Sequence, residues 1–517
     1  MKRKIYSILF ILLATVMLFL FASCNANMDA SGENNQAPQS PNYNQVISGT
    51  HPEVAPDDSK EEPENGETNN QFTENPFVNT EKNNVSTLSA DVDTASYTYF
   101  RKLVNSGYSW AELSRFSSNF RTEEFLNYFK YTAEQPAENE LFSVNSAILP
   151  CPWNENNVLF SMTLQAADAP PTEGNNLVFL IDVSGSMSSS DKLPLLKTAF
   201  SHLTDQLGEN DIISIVTYSG KEAVVLDGCT GNKKETILSA INSLVASGST
   251  NGEAGLQKAY QIAEKHRIEG GNNRIIMASD GDLNVGISSE SALKQYIEQK
   301  RDAGIFLSVL GFGTGNYRDE KMETLADNGN DVYLYVDGEA EAEKIFSTDL
   351  LANLYTVAKD VKMQITFDKN YVSAYRLIGY ENRILDEEDF TDDTKDAGEV
   401  GAGHQVTVCY ELTLTEGAKT DGANWLELAV NYKLPEDTAS VFPNLYNIGY
   451  ADYVTTPDAD RAFMIAVIET CMLLHNSDYL PEDFDLDNII HSLNAIDLSD
   501  YPERAEFREL LKKLNTK

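Results

Sequence analysis

Asp182, Ser184 and Ser186 stand at alternate positions directly after an apolar run, Leu177 to Ile181. A carboxylate and two hydroxyls are hard oxygen donors, which suit Mg²⁺, Mn²⁺ or Ca²⁺ rather than Zn²⁺. Gly185 between the serines permits a sharp turn, so one loop can aim several oxygens at one point. A second oxygen-rich stretch, Asp280-Gly-Asp282, follows a second apolar run, Arg274 to Ser279. Ser184 is not in a Gly-x-Ser-x-Gly elbow, and no general base accompanies it. None of the six histidines lies in an H-E-x-x-H or phosphate-loop context. These residues point to cation binding, and no enzymatic activity is expected.

The elements around them must hold two loops at one place. From Asn175 onward, strand and helix patterns alternate. Leu193, Leu196, Phe200, Leu203 and Leu207 form a helical stripe, and Asp211 to Tyr218 reads as a strand. Ala223 to Leu226 reads as a shorter strand. Helices are predicted over Glu253 to His266, Leu293 to Ala303, Tyr317 to Asn328 and Glu339 to Ala358, with strands at Ile305 to Gly311 and Val332 to Val336. Such alternation predicts an α/β, Rossmann-like, doubly wound domain with a mainly parallel central sheet. Ligands in such sheets gather at the strands' carboxyl ends, where strand order reverses. Both oxygen-rich loops lie at such ends.

At Asp182, Ser184 and Ser186, joined by Thr250 and Asp280, the chain resembles the von Willebrand factor type A (VWA) domain. That family's metal-ion-dependent adhesion site is Asp-x-Ser-x-Ser after the first strand, a Thr from a second loop and an Asp from a third. Three further segments resemble exported bacterial VWA proteins of the YfbK kind: Glu74 to Phe129, Arg376 to Arg383 and Asp396 to His404. The similarity covers roughly residues 72 to 515. The resemblance implies that Ser184 and Ser186 bind the metal directly, that Thr250 does so when ligand is present, and that Asp182 and Asp280 act through bound waters. It implies a divalent cation, Mg²⁺ foremost, with an open position for a carboxylate from a protein partner. Adhesion or envelope complex assembly is the implied function. The alternatives are an envelope assembly or stress factor that docks without metal, and a hydrolase acting on wall material.

The remainder of the chain gives the site an address. Lys2, Arg3 and Lys4 precede an apolar run, Ile5 to Phe21, and then Ala22, Ser23 and Cys24. This is a secretory signal layout resembling that of bacterial lipoproteins, with Phe21 where that pattern usually carries Leu. Cys24 is the expected lipidation site, which places the protein on the extracytoplasmic side of the cell membrane. Residues 25–71 are polar and acidic and are expected to be a disordered tether. An N-terminal α+β segment is expected over 72–170, the VWA domain over 171–358, and a β-rich then helical domain over 359–517. Thr94 or Ser96 could cap a helix containing Tyr97, Phe100 and Val104. Asp91 and Asp93 read as a polar strand end and helix start. The net charge of −40 argues against nucleic acid as a partner. Cys151, Cys229, Cys409 and Cys471 are scattered, and no C-x-x-C occurs, so a zinc site is not expected. Asp483 to Asn488 resembles the start of a calcium loop. It lacks the glycine and glutamate that such a loop needs, so it reads as a helix N-terminus.

Overall fold

The computed structural model describes residues 73–168, 173–248, 252–281, 290–313, 319–329, 332–349, 355–420, 422–435, 437, 439–441 and 445–516. Cys24, the tether expected over 25–71, Thr250 and Asp282 lie outside the described residues.

Two short strands come first, β1 (Val78–Asn79) and β2 (Val85–Ser89), followed by the helices Ala95–Asn105 and Thr122–Tyr128. Thr94 holds the N-cap position of the first helix, but its side chain makes no cap bond. The Ser96 amide instead donates to Glu124 Oε2 at 2.7 Å, so a carboxylate from the second helix does the capping expected of Thr94 or Ser96. Strands β3 (Phe142–Pro150) and β4 (Asn157–Ala166) then pair antiparallel.

The next six strands are β5 (Asn175–Asp182), β6 (Ile212–Tyr218), β7 (Glu222–Thr230), β8 (Asn272–Ser279), β9 (Phe306–Phe312) and β10 (Tyr333–Val336). They form one sheet in the order β10-β9-β8-β5-β6-β7, parallel except for the edge strand β7. Its first strand lies in the middle. β5 is buried along its whole length, and its two-residue period divides its side chains between two cores. Leu177, Phe179 and Ile181 pack with Leu196 and Phe200 of the helix Leu193–Gln206, and the Phe179 and Phe200 rings stack at 4.2 Å. Val178 and Leu180 face the other core, with Tyr218, Leu256 and Tyr260.

After the central sheet come β11 (Thr356–Phe367), β12 (Val372–Ile378), β13 (Ile384–Leu385), β14 (Gly398–Gly401), β15 (Gln405–Leu414), β16 (Asn424–Lys433) and β17 (Tyr446–Gly449). The helix expected through Ala358 ends earlier. The described helical turns run to Thr348, and Thr356 and Ala358 are already strand, paired with Gly401 and Val400 of β14. β7 is also longer than the expected strand over Ala223 to Leu226.

The flanking segments interleave. One sheet has the order β1-β12-β15-β4-β3 and the other β13-β2-β11-β16-β17. Leu88 and Phe160 from before the central sheet share a core with Met363, Tyr410 and Trp425 from after it. The two flanks therefore build one β-sandwich together.

Helices Ala459–Leu474, Leu486–Asn494 and Pro502–Asn515 close the chain. Asp485 caps the second of these, as its acidic start predicts. Phe463 and Phe507 pack edge to face, and both pack on Phe129, joining the closing helices to the first ones. Arg101 ties the first helix to the residues that follow β10. Its Nε and Nη2 donate to the two oxygens of Asp337 at 2.6 and 2.8 Å, Nη2 also reaches Glu341 at 2.6 Å, and Nη1 donates to the Tyr128 hydroxyl at 2.8 Å. Asp91 and Asp93 are buried and paired with Arg383, and Asp93 accepts the Tyr333 amide at 2.7 Å. They hold elements together, in keeping with their reading as a strand end and helix start.

Cys151, Cys229, Cys409 and Cys471 are free thiols. Burial pushes the Cys409 thiol up to about 12 and raises Cys151 and Cys471 as well, which makes these three poor nucleophiles. Among the described residues, no helix is long and apolar enough to cross a membrane.

Candidate metal site

Asp182 ends β5 and Asp280 follows the neighbouring strand β8, where the strand order reverses. Ile181 is in register with Ala278, so both acids emerge at the same level of the sheet. Both are buried, Asp182 completely. One Asp182 oxygen accepts the Ser184 amide at 2.8 Å, fixing the turn, and the Ser279 hydroxyl lies 3.5 Å from the other. The serine hydroxyls meet each other: Ser184 Oγ lies 2.9 Å from Ser186 Oγ. Two hydroxyls converging above a buried carboxylate, beside a second buried carboxylate, form an all-oxygen donor set that fits a hard divalent cation.

Thr250 lies outside the described residues, but the chain leading to it is held on the same turn. The Ser247 amide donates to Val183 O at 2.7 Å, and the Gly185 amide donates to Gly248 O at 3.0 Å. Gly248 takes φ +84°, a left-handed conformation that glycine adopts without strain.

Tyr218 at the end of β6 is wholly buried, with its hydroxyl beside Asp182 and Ser279. Burial, reinforced by the Asp182 carboxylate, raises its phenol well above the ordinary range and keeps it protonated. The helix Gly252–Lys265 packs on this ring through Gly255, where a β-carbon would lie 2.7 Å from Tyr218 Cβ. Gly255→Ala is therefore expected to cost about 1–3 kcal/mol by overpacking. Urea unfolding checks this, and a fully stable variant would refute the packing argument.

Sequence reasoning missed Lys192. It is buried, and its ammonium donates to Asp280 Oδ2 at 2.8 Å. Its stem crosses the end of β9 at Gly313, where φ is +78° and a β-carbon would lie 2.3 Å from Lys192 Cε. The adjacent Asp191 pairs with Lys102 of the helix Ala95–Asn105 at 3.4 Å. A basic residue shortly after Asp-x-Ser-x-Ser was the available signal, but its partner lies 88 residues away.

A central mainly parallel sheet carrying this loop constellation at its switch point defines a VWA domain, and residues 176–348 match the von Willebrand factor type A domain family. Residues 63–177 match the family described as von Willebrand factor, and residues 352–516 match "Uncharacterized protein YfbK, C-terminal". The chain belongs to the YfbK family. It is 38% identical over 437 residues to "Uncharacterized protein YfbK" of Escherichia coli (strain K12), covering 79% of this chain and 74% of that one. It is 28% identical over 182 residues to human inter-alpha-trypsin inhibitor heavy chain H3, covering 34% of this chain and 20% of that protein. Among solved structures, a von Willebrand factor type A protein from Catenulispora acidiphila aligns with a TM-score of 0.40 and 16% identity, over 66% of this chain and 80% of that one.

Proposed function

We propose that this protein binds a divalent cation, Mg²⁺ foremost, and uses it to hold a carboxylate of a protein partner. Ser184 and Ser186 would hold the ion through their hydroxyls, Thr250 would join them, and Asp182 and Asp280 would act from behind through water. The observation that carries this reading is the convergence of the two serine hydroxyls, 2.9 Å apart, over the fully buried Asp182. Neutral hydroxyls leave a divalent ion under-neutralised, so the bound ion favours an anionic ligand. The tether from Cys24 would present this face outside the membrane, in adhesion or in envelope complex assembly.

Titration calorimetry tests the metal assignment. Asp182→Ala is expected to weaken Mg²⁺ binding about 100-fold, near the upper end of what loss of a supporting metal-site group costs. Unchanged affinity in that variant would sink the assignment. Capture of envelope proteins on the immobilised chain tests the grip. The captured partner should be released by EDTA, whereas retention in EDTA would favour docking that does not use the ion.

A further inference from the structure

We propose that the Lys192 ammonium is a built-in counter-charge that makes the metal-loaded site depend on an anionic ligand. This rests on the metal reading above and concerns how that site is tuned. Among the described residues of the site, two carboxylates and one ammonium carry a single net negative charge. A divalent ion reverses the sign of that described set. Without Lys192 the two carboxylates would neutralise the ion by themselves, and an incoming carboxylate would gain less.

The geometry is built for this role. Lys192 starts the helix Leu193–Gln206 directly after the serine loop and is 8% exposed. Gly313 leaves the space its stem needs, since any β-carbon there would collide with Cγ, Cδ and Cε. A solvated surface lysine needs no such passage. The ammonium ends on Asp280, the acid contributed by the distant loop, and so fixes that carboxylate against the serine loop. Lys192 is therefore a positioning and charge-setting residue: it lowers affinity for the bare ion and raises the affinity of the loaded site for an anion.

Calorimetric titration of Mg²⁺ into the full chain, with and without acetate as the carboxylate probe, tests this. Lys192→Met is expected to bind Mg²⁺ about 10-fold more tightly than wild type, by the Coulomb term of one nearby charge. Acetate should strengthen Mg²⁺ binding in wild type and do so less in Lys192→Met. Gly313→Ala, which displaces the stem but keeps the lysine, should shift both quantities in the same direction and guards against a misfolded Lys192 variant. Wild type that binds Mg²⁺ alongside a Lys192→Met variant of equal or weaker affinity would overturn this proposal alone. A wild type that binds no divalent ion would overturn the metal reading and this proposal together.

Discussion

Arg101→Ala will lower the unfolding free energy by about 3–5 kcal/mol, the usual cost of removing one partner from a buried ion pair. The guanidinium is only 8% exposed, and it faces Asp337 and Glu341, which are 9% and 3% exposed. Burial already raises the Asp337 carboxyl above its ordinary range, despite the opposing pull of Arg101. Without Arg101, both acids would lose their buried partner, and among the described residues only Lys102, which reaches the Asp337 carbonyl at 3.4 Å, would remain as a cation near Asp337. Glu506 contributes less, because it lies 3.3 Å away and is 45% exposed. Arg101→Lys should fall between wild type and alanine, since lysine keeps the charge but loses the two-pronged grip on Asp337. Denaturant unfolding measures this, and a loss below about 0.5 kcal/mol, the scale of a neutral surface change, would refute it.

Glu469→Gln will stabilise the protein by about 3 kcal/mol at pH 7. Glu469 lies within the helix Ala459–Leu474, 4% exposed, and burial alone pushes its carboxyl from the ordinary 4.5 up to about 8. The unfolded chain releases this proton above pH 4.5, while the folded chain keeps it until about pH 8. Folding stability from this group is therefore complete below 4.5, declines as pH rises to about 8, and is flat beyond that. Glutamine keeps the shape and cannot ionise. The gap between variant and wild type should be near zero at pH 4, widen to pH 8 and then level. Glu381, raised to about 7, and the buried Glu123 add to the wild-type slope in the same direction, but they cancel in the difference. A gap that does not vary with pH would refute the argument.

The parts of the fold legible in the sequence were those written in local periodicity. The strand of Leu177 to Ile181 and the helical stripe from Leu193 to Leu207 both declare themselves, because each buries one repeating face. Asp182, Ser184, Ser186 and Asp280 were legible as oxygen donors at strand ends, and the structure gathers these four at one switch point. The limit of the last VWA helix was not legible. Ala342, Ile345 and Phe346 continue a helical stripe, and Thr356-Val-Ala358 suits either state until its pairing with β14 decides. Lys192 was missed for the same reason: Gly313 and Asp280, which give it meaning, are distant in sequence. The interleaving of the two flanks' strands was not legible either, since nothing in β2 or β4 specifies which distant strands they pair with.

That sandwich has a consequence for the order of assembly. Asn157 of β4 bonds Glu411 of β15 across 254 residues, so this contact closes a very long loop, and contacts of that kind form slowly. During synthesis β1 to β4 must wait, with apolar faces unpaired, until the second half of the sandwich has been made. The central sheet needs no such wait, because its strands and helices are close in sequence. The loop from Asp182 to Ser186 therefore matures first, inside a chain whose outer body is still open, and the interval before closure is when β3 and β4 are most exposed to mispairing with another copy.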